Sequence, residues 1–129
     1  MLDPDQVRLL LEIARRDLRA ARGMSDPAVF PDEIFGFQAQ QAVEKCLKGW
    51  LAFLDVEYPK IHDLDELFLM LSEAGAPIAT EWRALSELTP FAVQFRYDTL
   101  DIGQSGLNRA EIVARIEHLI DHLAQLISK

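Results

Sequence analysis

The spacing of the apolar residues restricts this chain more than any other feature. They return at steps of three and four along almost every segment, and nowhere do they alternate with the period of two that a half-buried strand requires. Val7, Leu10, Leu11, Ala14, Leu18 and Ala21 form the first such stripe. Asp3 precedes it as a candidate N-cap, Pro4 stands at the first helical position, Gln6 can close a capping box, and Gly23 marks the stop. Pro31, Asp32 and Glu33 begin a second and longest helix, expected to run to about Leu54 on Phe35, Ala39, Ala42, Val43, Cys46, Leu47, Trp50 and Leu51. Tyr58-Pro59-Lys60-Ile61-His62 reads as a connection, because proline removes a backbone donor and restricts the residue before it. Asp63 then caps a third helix with Glu66 three residues on, ended by Gly75 and Pro77. Trp82, Leu85 and Leu88 continue a helical pattern, and Pro90 restarts a short turn through Phe91 and Phe95. Arg96-Tyr97-Asp98 leads into a loop holding Gly103 and Gly106. Asn108 with Glu111 caps the last helix, which carries Ile112, Ile116, Leu119, Ile120, Leu123 and Ile127.

Short connections between helices favour antiparallel neighbours. The expected fold is therefore an all-α up-and-down bundle of four main helices plus a short fifth segment, forming one domain over residues 1–129, a length that sustains a single core. Half the residues are apolar and 26% are charged, too apolar a mixture for a disordered chain. The formal net charge of −8 repels polyphosphates at long range, so nucleic-acid binding needs a local basic patch. The acidic start, Met1-Leu2-Asp3-Pro4-Asp5, lacks the basic character of a secretory signal. With no apolar run of spanning length, it implies a cytoplasmic protein without a membrane segment. The aromatic clusters at Trp50 with Phe53 and at Phe91 with Phe95 exceed what a small core is expected to absorb, which points to a subunit interface.

The sequence offers few chemical motifs. The six glycines form no phosphate loop, there is no Gly-x-Ser-x-Gly elbow, and no acid pair suggests glycoside hydrolysis. His118 and His122 stand four apart without the glutamate of a zinc-protease helix. A divalent ion pinched between them with Glu117 or Asp121 is outweighed by partial surface exposure, so no metal and no cofactor are expected. Cys46 has no disulfide partner and lies in an apolar stretch, where it acts as a small hydrophobe. Arg15, Arg16, Arg19 and Arg22 read as a solvated, dipole-matched face rather than a phosphate stripe. Gln38, Gln41, Lys45 and Lys48 share one helix face and are expected to form a polar surface ridge, solvated or ligand-binding.

The run Phe37-Gln38-Ala39-Gln40-Gln41-Ala42-Val43-Glu44-Lys45-Cys46-Leu47-Lys48, followed by His62-Asp63-Leu64 and Phe95-Arg96-Tyr97, resembles the HEPN family (higher eukaryotes and prokaryotes nucleotide-binding) over nearly the whole chain. The resemblance implies a helical bundle, a homodimer made through helix faces, and a minimal nucleotidyltransferase partner in a toxin–antitoxin-like pair. Many members of the family are metal-independent ribonucleases that carry an arginine followed, after four to six residues, by a histidine near the start of the last helix. Here Arg96 is followed by Tyr97-Asp98-Thr99-Leu100-Asp101-Ile102-Gly103, so the histidine that would act as general acid or base is missing. Arg115 and His122 meet the spacing formally but fall inside the last helix, and serve as the catalytic pair only in an alternative reading as a ribonuclease. A purely structural, protein-binding bundle is the other alternative. What remains resembles the non-catalytic branch, a nucleotide- or RNA-binding assembly module. Lys45, Lys48, His62, Arg96 and Tyr97 would supply its phosphate charge and base stacking.

Overall fold

The computed structural model describes residues 3–92 and 106–129; Phe95, Arg96, Tyr97 and the loop through Gly103 lie outside the described residues. Among the described residues every regular element is helical. Helix α1 spans Pro4–Arg22, α2 Asp32–Phe53, α3 Leu64–Glu73 and α4 Thr80–Arg83; a 3₁₀ segment spans Ala84–Ala92, and α5 spans Arg109–Ser128. The ends follow the sequence closely. The Asp3 carboxylate accepts from the Asp5 and Gln6 amides, Asp63 from those of Asp65 and Glu66, and Asn108 from that of Glu111. At the end of α3, Gly75 takes φ +87° and the Ala76 amide donates to the Leu71 carbonyl at 3.0 Å, the closing bond of a Schellman turn. The region around Trp82 departs from a simple helix. One turn of α4 gives way to a 3₁₀ run that passes through Pro90, whose missing N–H cannot serve an α-helical ladder.

Helix α2 is the axis of the bundle. Its residues are buried on nearly all sides, because α1, α3, the 3₁₀ segment and α5 all pack against it. Contacts at the two ends of each pair give the directions. Gln38 reaches Asp17 while Gly49 lies against Val7 and Leu10, so α1 and α2 are antiparallel. Arg109 bonds Asp32 while Leu123 lies near Gly49, so α5 runs parallel to α2. Gly49 lets three helices close on one point, since a Cβ there would stand 3.1 Å from Leu123 Cδ2 and 3.3 Å from Leu10 Cβ. Gly36 is tighter: a Cβ would fall 2.4 Å from Cδ1 of the Phe91 ring, which lies flat against the helix backbone.

Of the aromatic residues assigned from sequence to a subunit interface, the core takes in Trp50 and Phe91, and Phe95 lies outside the described residues. Trp50 and Phe91 are each 1% exposed, and Phe53 is half-buried against the core. A central helix buried on most of its faces absorbs more aromatic area than a one-sided amphipathic helix. Burial of this kind supplies roughly 1.5–3 kcal/mol for each large apolar side chain. Arg109 fastens the α1–α2 connection to the start of α5. Its guanidinium donates to the Met24 and Phe30 carbonyls at 2.7 Å and to Asp32 Oδ1 at 2.8 Å, and lies 4.9 Å from the Phe35 ring centre.

Candidate functional site

The middle of α2 carries three polar residues one turn apart, Gln40, Glu44 and Lys48, all buried in a helix whose other buried side chains are apolar. This spacing sets them in a single row, and the connection before α3 closes over it. Glu44 is fully buried and uses both oxygens. Oε1 accepts from Gln40 Nε2 at 3.0 Å and from His62 Nδ1 at 2.9 Å. Oε2 accepts from Lys48 Nζ at 3.0 Å and Lys45 Nζ at 3.3 Å. The Gln40 amide is also fully used: its nitrogen donates to the His62 carbonyl at 3.0 Å and its oxygen accepts from Gln41 Nε2 at 2.7 Å. His62 is therefore held through both backbone and ring.

Burial alone would push the Glu44 carboxyl up. The hydrogen bonds from Gln40, His62 and Lys48, with the charge of Lys45, outweigh it and bring the pKa down to about 2. An ionised carboxylate only accepts, so His62 Nδ1 carries the proton and Nε2 is the ring nitrogen left for a ligand. Lys48 is nearly enclosed, its ammonium 5.8 Å from the Tyr58 ring centre. Lys45 is partly open and the His62 side chain is 56% exposed, so solvent reaches the cluster through these two. Nearby, Thr89 Oγ1 of the 3₁₀ segment accepts from the Leu64 amide at 3.2 Å and ties that segment to the start of α3.

The structure therefore brings Lys45, Lys48 and His62 together, as the sequence reading required, but not on the expected ridge. Lys48 turns inward to Glu44 and Gln38 bonds the buried Asp17 at 3.1 Å, because two buried carboxylates draw the polar side chains off the surface. Gln40 and Glu44, the centre of the cluster, were not singled out. Their signal was the four-residue step from Gln40 through Glu44 to Lys48, bordered on one side by the apolar row Ala39, Val43 and Leu47. Arg96 and Tyr97 lie outside the described residues.

Arg115 and His122 are not brought together. They stand about 10 Å apart along α5. Arg115 pairs with Glu111 one turn back, while the His122 ring sits 4.9 Å from that of Trp50 and 5.0 Å from that of Trp82. Burial against these rings, helped by the charge of Lys129, lowers the His122 pKa. Cys46 is fully buried, and burial pushes its thiol far above the usual range despite the charge of Arg15, leaving it unreactive. Of the first-helix arginines, Arg15 pairs with Glu12, Arg16 with Asp17 and Arg22 with Glu117.

The class these observations define is an all-α bundle with a buried carboxylate, two lysines and a histidine assembled on its central helix. The model of the HEPN domain family matches residues 7–125, and the chain belongs to that family, a nucleotide- and RNA-related class of module. No curated protein and no solved structure matches the chain. No helix among the described residues is long and apolar enough to cross a membrane.

Proposed function

We propose that this chain is a non-catalytic HEPN module that binds a nucleotide or RNA and assembles with a minimal nucleotidyltransferase, as one half of a toxin–antitoxin-like pair. In this reading residues 1–129 form one domain that acts as a homodimer in the cytoplasm. The observation that carries it is the Glu44 cluster. One buried negative charge holds two lysine ammoniums and orients a histidine, so Glu44, Lys45 and Lys48 together keep a surplus of one positive charge in an otherwise acidic chain. Fixed cations with restricted side chains suit phosphate binding, since little rotamer entropy is left to lose. Arg96 and Tyr97 join this site in the proposal as phosphate and base contacts.

Calorimetric titration with nucleotides and a short oligoribonucleotide tests the binding reading. Saturable binding that weakens in Lys45→Ala and Arg96→Ala supports it. Binding that is absent, or unchanged in both variants, overturns it. Incubation with single-stranded RNA in chelator tests the non-catalytic part. Intact RNA is expected, and cleavage abolished by His122→Ala would reinstate the Arg115–His122 alternative. Co-expression with a minimal nucleotidyltransferase encoded beside the gene is expected to give a complex stable in gel filtration.

A further inference from the structure

We propose that the Glu44 cluster selects a nucleoside monophosphate, a single phosphate monoester, over nucleoside polyphosphates and RNA strands. This rests on the cluster being the nucleotide site and narrows what it accepts. The first argument is a charge count. Among the described residues Glu44 contributes one negative charge and Lys45 with Lys48 two positive ones, so the surplus within this group is a single positive charge. Lys48 is committed to Glu44 beside the Tyr58 ring, which leaves Lys45 as the ammonium with room for a ligand. Lys60 lies close in sequence but lines a separate cavity of about 460 Å³ with Asp3, Asp55 and Glu57.

The second argument is the chemistry of the exposed nitrogen. His62 gives its Nδ1 proton to Glu44, so Nε2 offers a lone pair in the neutral ring and a donor only after protonation. A phosphate monoester has a second pKa near 6 and in its monoanionic form carries a P–OH that can donate to that lone pair. An internal phosphodiester of a strand has no such proton. The third argument is the rim. Asp63, Asp65 and Glu66 follow His62 within four residues and are exposed, with Asp63 capping α3 and the other two in its first turn, so acidic charge adjoins the histidine along the chain. One phosphate in its monoanionic form is balanced by Lys45, whereas further phosphates meet these carboxylates and the chain's formal charge of −8.

Calorimetry on the full chain with adenosine monophosphate, magnesium-free adenosine triphosphate and a short oligoribonucleotide tests this. The monophosphate is expected to bind at least about tenfold more tightly than the other two. Its affinity should fall only modestly between about 50 and 200 mM salt, through screening of a single charge contact. Asp65→Asn with Glu66→Gln, both exposed, should narrow the preference, while Lys45→Ala weakens the monophosphate about tenfold. Triphosphate or oligonucleotide binding equal to or tighter than the monophosphate, with a steeper salt slope, overturns the selectivity and leaves the nucleotide reading standing. Absence of binding by all three probes overturns both.

Discussion

Replacing Glu44 by glutamine should be among the most destabilising single-atom changes available in this chain, and the structure gives its size. The carboxylate is fully buried and receives four hydrogen bonds, two of them from ammonium groups. Its pKa falls from 4.5 to about 2 on folding. At about 1.4 kcal/mol per unit, the ionised form is favoured in the folded state by about 3 kcal/mol. In Glu44→Gln that contribution disappears, and the nearly enclosed Lys48 loses its counter-charge; breaking a buried pair in this way costs about 3–5 kcal/mol. The sign with pH follows from the depressed pKa. The stabilisation is complete above the unfolded value of 4.5 and is lost as pH falls toward 2. Urea unfolding across pH 7 to 2 should therefore show a large gap between wild type and Glu44→Gln at neutrality that closes in acid. Adding Lys48→Met to Glu44→Gln should recover much of the loss, since no uncompensated charge is left inside. A gap under about 1 kcal/mol at pH 7, or one that does not change with pH, would refute the reasoning.

Three further outcomes follow from other parts of the bundle. The His122 pKa is lowered by burial against Trp50 and Trp82, so stability should be complete above the ordinary imidazole value of about 6.5 and decline as pH drops below it. His122→Phe should remove that step from a melting-temperature profile, and a persisting step would place the titrating group elsewhere. Gly36→Ala forces a methyl group into the Phe91 ring and should destabilise the fold by about 1–3 kcal/mol in thermal unfolding, whereas a neutral result would mean the ring moves freely. Arg109→Lys cannot reach the Met24 and Phe30 carbonyls and Asp32 at once, so a loss of about 2–4 kcal/mol is expected; an unchanged urea midpoint would contradict the role assigned to the fork.

Much of the architecture was legible because local signals agree with tertiary packing. Asp3, Asp63 and Asn108 cap the helices that their positions predict, and the period of three to four marks every long element. Where signals compete, the sequence misleads. Pro90 reads as the restart of a short turn, yet a single 3₁₀ segment carries through it from Ala84 to Ala92. Trp50 and Phe91 read as surplus to a small core, but α2 is packed on most of its sides and the core around it takes them in. The candidate site was half legible. Lys45, Lys48 and His62 could be named from residue type and resemblance, whereas the buried Glu44 that organises them could not. A carboxylate on an apolar helix reads as surface until the donors that satisfy it, three on α2 and one 18 residues away, are seen to converge.

Nitrogen-15 chemical-shift mapping during addition of adenosine monophosphate tests most directly whether the row on α2 is where ligand is held. The account predicts saturable shifts centred on the Lys45 and Lys48 ammoniums, the His62 ring nitrogens and the Gln40 amide, with the backbone of Leu64 following. Shifts concentrated instead around the cavity of about 730 Å³ at Arg22, Leu107 and Val113, with the Glu44 neighbourhood unmoved, would contradict it.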